Sequence, residues 1–155
     1  MKRMNLLAAL DDLQLELPQS ATPGGNYVSV NIRGNIAFVA IQFPIMNGEY
    51  LYRGRLGEEI TTNEGYKAME ICALNVLAQI HSKMELDSIV GLNHIDGYFQ
   101  SGVDWDDSPL VVDGASDLFV KVLGEKGQHS RAILGIDKLP RNFSVGLTAS
   151  FTLKK

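Results

Sequence analysis

Residues 144 to 153 read Ser-Val-Gly-Leu-Thr-Ala-Ser-Phe-Thr-Leu, an alternation without a break. Val145, Leu147, Ala149, Phe151 and Leu153 fall on one side, and Ser144, Gly146, Thr148, Ser150 and Thr152 on the other. A period of two marks a strand with one face in the core. A chain containing such a strand needs neighbouring strands to satisfy its backbone and an apolar layer to cover its buried face.

The remaining segments offer both. Tyr27 to Ile41 reads as a hairpin: Val28, Val30 and Ile32 alternate with Ser29, Asn31 and Arg33, and Gly34-Asn35 makes the turn. The return run, Ile36 to Ile41, is apolar throughout and is expected to be covered on both faces. Asn47-Gly48 marks a second turn before a short edge strand over 49–55. Leu86 to Phe99 is a strand interrupted by Gly91, Asn93, His94 and Asp96.

Two long helices are expected. Thr61 and Glu64 have the spacing of a capping box, and Tyr66, Met69, Ala73, Val76, Leu77 and Ile80 make one apolar face. Ile71, Cys72 and Leu74 lie off that face, so this helix should meet a second surface, such as an N-terminal helix. The other long helix starts at Ser108-Pro109, turns Val111, Ala115, Leu118, Phe119 and Val122 inward, and stops at Gly124 and Gly127. A short helix over about 5–17, with Leu6, Leu7, Leu10 and Leu13 as its stripe, ends at Pro18. The order β-β, helix, β, helix, β-β predicts an α+β fold, with one mixed sheet and both long helices on one face. The other sheet face then needs cover, which a homo-oligomer would provide. All 155 residues are expected to form one domain.

Charge and composition exclude several function classes. Fourteen Lys+Arg stand against 18 Asp+Glu, and no basic cluster exceeds two residues, which argues against a nucleic-acid partner. Cys72 is the one cysteine, so no internal disulfide forms, in keeping with a cytoplasmic location; it is expected in the core. The start, MKRMNLLAALDD, reads as a helix and not a signal peptide, and no apolar run suits a membrane span. His81, His94 and His129 lack metal-ligand spacing, and neither a metal nor a cofactor is expected. Trp105, among Asp104, Asp106 and Asp107, reads as a lid over the core.

The segment HSRAILGIDKLP, His129 to Pro140, carries the chemistry. It reads as a buried strand with Arg131, Ile133, Gly135 and Asp137 on one face. A guanidinium among Ala, Ile and Leu requires an acceptor. That acceptor is either an internal carboxylate, with Asp137 and Asp113 as candidates, or the carboxylate of a ligand held by two parallel hydrogen bonds. His129 shares the face of Arg131 if the strand extends that far.

Three segments resemble the RidA family, also called YjgF or L-PSP endoribonuclease. They are Gly25-Asn26-Tyr27-Val28 with Gly34-Asn35 and Gln42-Phe43-Pro44; Ala73-Leu74-Asn75 in the first long helix; and Arg131 through Leu139-Pro140. The extended 113–117 and 127–129 segments look like those of a longer subgroup. The resemblance covers residues 25 to 154 and implies a chorismate-mutase-like fold in a homotrimer with clefts between subunits. It further implies that Arg131 grips a substrate carboxylate, with Tyr27 lining the cleft and Ile133, Asp113 and Thr148 at the family's other site positions. Members of the best-known type hydrolyse enamines and imines such as 2-aminoacrylate to 2-keto acids and ammonia. This chain departs from them where the chemistry is most demanding. Thr148 stands at the water-positioning glutamate, Gly146 at the neighbouring glutamate position, Ile133 at a cysteine, Asp113 at an asparagine, and Ala40-Ile41 replaces Ser-Gly. His129 is the candidate substitute base. Two functions follow from the resemblance: an enamine/imine deaminase, or a non-catalytic trimer that binds small carboxylates or keto acids. Ribonuclease activity fits the acidic balance less well.

Overall fold

The computed structural model describes residues 5–155; Lys2 and Arg3, the basic start of the N-terminal segment, lie outside the described residues. Its centre is a five-stranded mixed sheet. The strands are β1 (Val30–Arg33), β2 (Ile36–Gln42), β5 (Ile89–Phe99), β6 (Ser130–Gly135) and β7 (Val145–Leu153), in the spatial order β1-β2-β7-β5-β6. The alternating segment of the sequence is β7, and it occupies the middle of the sheet. It pairs antiparallel with β2 on one side and β5 on the other. Gly34-Asn35 closes the β1–β2 hairpin, with Gly34 at φ +60°. β5 and β6 are parallel, so a crossover must join them, and helix α3 (Ser108–Leu123) makes it.

Helices α2 (Thr62–Lys83) and α3 cover one face together. The capping box forms as expected. Thr61 Oγ1 accepts from the Glu64 amide at 3.1 Å, and Glu64 Oε1 accepts from the Thr61 amide at 3.0 Å. Cys72 to Ile80 are all buried, so α2 is apolar nearly all round because it is covered nearly all round. Burial pushes the Cys72 thiol well up, as suits a core thiol. The second surface against α2 is chiefly α3. The N-terminal helix α1 (Leu6–Asp12) packs instead on α3 and the turn at Leu86–Ser88. It is shorter than expected, ending at Asp12, and Leu15 and Leu17 pack against the core from the segment beyond it. The α2–α3 approach is close enough to need Gly114, where a Cβ would meet the Tyr66 backbone carbonyl. Trp105 is half-buried against the core and donates to Thr62 Oγ1 at 2.9 Å.

Two expectations change. The run Ile36 to Ile41 is not covered on both faces of one chain, because Phe38 points to the helix-free face and is 52% exposed. The strand that carries Arg131 is an edge strand and not a buried one, since β6 pairs with β5 alone. The edge strand expected over 49–55 is reduced to a two-residue hairpin, β3 (Ile45–Met46) with β4 (Glu49–Tyr50), followed by a single bridge from Arg53 to Phe143. Among the described residues no helix is long and apolar enough to cross a membrane.

Candidate functional site

Arg131 sits opposite Ile95 in the β5–β6 register, and its side chain rises from the helix face of the sheet toward α3. Nη1 donates to Asp113 Oδ1 at 2.8 Å and to Ser116 Oγ at 3.1 Å. Asp113 and Ser116 are three residues apart on α3, so both reach the same neighbour. Nη2 has only a 3.5 Å contact with the Pro109 carbonyl, and Nε has no partner among the described residues. The guanidinium is half-buried, at 26% exposure, and its Nε/Nη2 edge makes only that long contact. An internal carboxylate therefore holds one corner of Arg131 and leaves the side that grips a carboxylate with two parallel bonds.

His129 joins this group through Ser116. Its Nδ1 lies 2.5 Å from the Gly127 carbonyl, which only accepts, so Nδ1 carries the proton. In the neutral imidazole Nε2 is then the acceptor, and the Ser116 hydroxyl donates to it at 2.9 Å. The lone pairs of Ser116 remain for Arg131. With that tautomer a hydrogen-bonded chain runs from Arg131 through Ser116 and His129 to Gly127. Ile133, two residues on, is half-buried and packs against the core beside this cluster.

Tyr27 is elsewhere. It precedes β1, at the opposite edge of the sheet from β6. Four strand spacings of about 4.8 Å separate those edges, roughly 19 Å. Its hydroxyl accepts from the Gly24 amide at 3.1 Å, and its exposed ring borders a groove of about 730 Å³. The loop 19–24, Gln42 and Phe43 at the end of β2, Asn75 and Gln79 of α2, and the turn 140–143 form that groove. Gln100 pins the turn: its Nε2 donates to Asn142 Oδ1 and the Gly54 carbonyl, each at 2.9 Å, and its Oε1 accepts from the Leu139 amide at 2.8 Å.

Sequence and structure comparisons agree with this architecture. The family described as "YjgF/chorismate_mutase-like, putative endoribonuclease" matches residues 6–152. The chain belongs to the YjgF/chorismate mutase-like family. The Trypanosoma cruzi protein TCP17 is 33% identical over 144 residues, 92% of this chain and 90% of that protein. A crystal structure from Shewanella oneidensis MR-1, described as an endoribonuclease of that same tentative kind, superposes with a TM-score of 0.94. It shares 33% identity and covers 97% of this chain and 100% of its own. Escherichia coli TdcF, solved with bound serine, shares the fold at a TM-score of 0.63 and 14% identity, covering 90% and 94% of the two chains.

Within the YjgF-like frame, the departures noted in the sequence have physical counterparts. Thr148 lies on the helix-free face, opposite in register to Asp96, and donates to Asp96 Oδ2 at 3.3 Å. Asp96 Oδ1 in turn meets His94 Nε2 at 2.9 Å, and His94 Nδ1 meets Ser130 Oγ at 2.7 Å. Thr148 is therefore on the opposite face from Arg131 of the same chain. Gly146 is buried, and a Cβ there would lie 2.8 Å from Ile41 Cδ1 and 3.0 Å from the Phe43 ring. The register shift in β2 between Val39 and Gln42 carries Ile41 over that spot. The departures at 41 and 146 are one exchange of volume, in which a side chain on β2 fills the space a side chain on β7 would need.

The structure brings Arg131, Asp113 and His129 together, with Ile133 beside them, and it leaves Tyr27 and Thr148 apart in one chain. Sequence reasoning did not single out Ser116, the residue that joins Arg131 to His129. Nothing in a serine on a helix announces such a role until β6 is placed beside it. The buried amides Asn75 and Gln79 had a visible signal: two polar residues four apart inside the apolar run 73–80.

Proposed function

We propose that this protein binds a small 2-keto or imino carboxylate at Arg131, in a cleft that a second copy completes within a homotrimer. The observation that carries this reading is the Nε/Nη2 edge of Arg131, which makes only a long contact to the Pro109 carbonyl while Asp113 and Ser116 hold the guanidinium in place. A carboxylate on that edge gains two charge-assisted hydrogen bonds without displacing Asp113. Asp113 also offsets the positive charge of Arg131, so the site favours small ligands of modest affinity. Because Tyr27 stands at the other sheet edge, it can approach Arg131 only from a second chain. The serine in TdcF, an amino carboxylate, is in keeping with this ligand class.

A second reading, hydrolysis of an enamine or imine to keto acid and ammonia, draws on Ser116 and His129. The family's glutamate route has no residue here, since Ile41 fills the space at Gly146 and Thr148 is bonded to Asp96. His129 Nε2, with Ser116 between it and Arg131, is the base that remains near the anchor. Water would add to the C=N carbon, and ammonia would leave. The test is keto-acid release from 2-aminoacrylate, generated in place by a dehydratase acting on serine. Acceleration that is lost in Arg131→Ala and reduced in His129→Ala establishes hydrolysis. No acceleration, with keto-acid binding lost in Arg131→Ala, leaves binding as the function. Keto-acid binding that Arg131→Ala does not alter overturns both readings.

A further inference from the structure

If Tyr27 meets Arg131 across a subunit boundary, the groove that Tyr27 borders is the far wall of the carboxylate cleft. At about 730 Å³ it has more room than the three or four carbons of a simple keto acid fill. Its lining then decides what the far end of the ligand can be. Most of the polar residues there are neutral, among them Ser20, Thr22, Ser29 and Gln42. Arg141 is the one charged residue in the lining, and no carboxylate belongs to it.

The backbone of Arg141 is left-handed, at φ 58° and ψ 19°, and Asn142 follows at φ 62°. Asparagine enters that region readily; an arginine there is costly and must be held. The turn is held from behind. Gln100, itself buried, bonds Asn142 Oδ1 and the Leu139 amide, and Arg53 Nε donates to the Arg141 carbonyl at 2.9 Å. The guanidinium of Arg141, by contrast, makes no hydrogen bond and no ion pair among the described residues. Arg53 lies over the Tyr50 ring at 5.9 Å and has no carboxylate partner among them either. Two cations without a counter-charge, at the rim of a neutral wall, favour an anion there. A keto acid with one carboxylate cannot supply it, because that carboxylate is on Arg131.

We infer that the ligand of this cleft is a 2-keto dicarboxylate. Its first carboxylate lies on Arg131 of one chain, and its distal carboxylate on Arg141 of a second copy. The inference rests on the Arg131 reading and adds to it the chemistry of the ligand's other end. Arg141 is exposed, so water and salt screen the added contact, and the preference it produces is several-fold.

The test is calorimetric titration of the full chain at low salt with two five-carbon probes, 2-ketoglutarate and 2-ketopentanoate, which differ in the distal carboxylate alone. The readout is the ratio of their affinities. The wild type should favour 2-ketoglutarate about five-fold. Arg141→Gln should bring the ratio near one, and Arg141→Lys, which keeps the charge without the fork, should restore part of it. Arg131→Ala should abolish binding of both probes. Equal affinities in the wild type, or a ratio that Arg141→Gln leaves intact, would overturn this inference, while 2-ketopentanoate binding that Arg131→Ala abolishes would leave the Arg131 reading standing. If neither probe binds, or if both still bind in Arg131→Ala, the Arg131 reading fails and the two-ended grip fails with it.

Discussion

At one edge of the sheet a charged side chain is paired near the surface; on α2, two neutral amides are tied into the core. Arg131 reaches its partners through long, half-exposed side chains, so the ion pair with Asp113 lies at the margin of the fold. Asn75 and Gln79 grow from the most buried stretch of α2, and their N–H groups hold loop and hairpin carbonyls in place. Substitutions should therefore separate the two regions. In the first they alter ligand affinity with little effect on stability, and in the second they alter stability first.

The largest effect is expected at Asn75. Asn75→Ala removes the side-chain donor to the Ile45 and Phe43 carbonyls, of which Phe43 keeps the Ile45 amide, and opens a void beside α2, at a cost of about 2–4 kcal/mol in chemical denaturation. Next comes Arg131→Ala, which should lower keto-acid affinity by the worth of charged hydrogen bonds, about 1.5–3 kcal/mol by calorimetry. Its denaturation midpoint should move much less than that of Asn75→Ala; equal shifts would erase the contrast. Asp113→Asn sharpens it further. Stability should change by less than about 1 kcal/mol, as for other part-exposed pairs, while anion affinity rises because a competing negative charge has gone. That gain should shrink as salt is added.

The smallest effect is spectroscopic. Tyr66 donates to Asp117 at 2.7 Å, and this hydrogen bond, with some burial, pushes its phenol up to about 12 from an ordinary 10.0. The protonated phenol is the favoured form, so the contact contributes stability below pH 10 that is lost as pH rises through about 12. Ultraviolet titration should show one late tyrosine, and Asp117→Asn should bring it back toward the others.

The legible parts of the fold were those with a local cause. The period of two over 144–153, the capping box at Thr61 and the Gly34-Asn35 turn each depend on nearby residues alone, and each appears where expected. What could not be read was set by packing between distant elements. The sequence of β6 is apolar enough for a central strand, yet the parallel crossover through α3 leaves it at an edge. The pairing of Arg131 with Asp113 was one of two internal options, and only the position of α3 over β6 selects it over Asp137. Ile41 and Gly146 each looked like an isolated departure. Their shared volume appears only once β2 and β7 are neighbours.

The placement of Tyr27 and Arg131 at opposite sheet edges has a genetic consequence. If each cleft draws one residue from each of two chains, a Tyr27-defective chain and an Arg131-defective chain are each inert alone. Mixed and reassembled at random, they should regain about a quarter of their working clefts, because some junctions join two sound halves. Two variants of a protein whose site lay within a single chain would regain none.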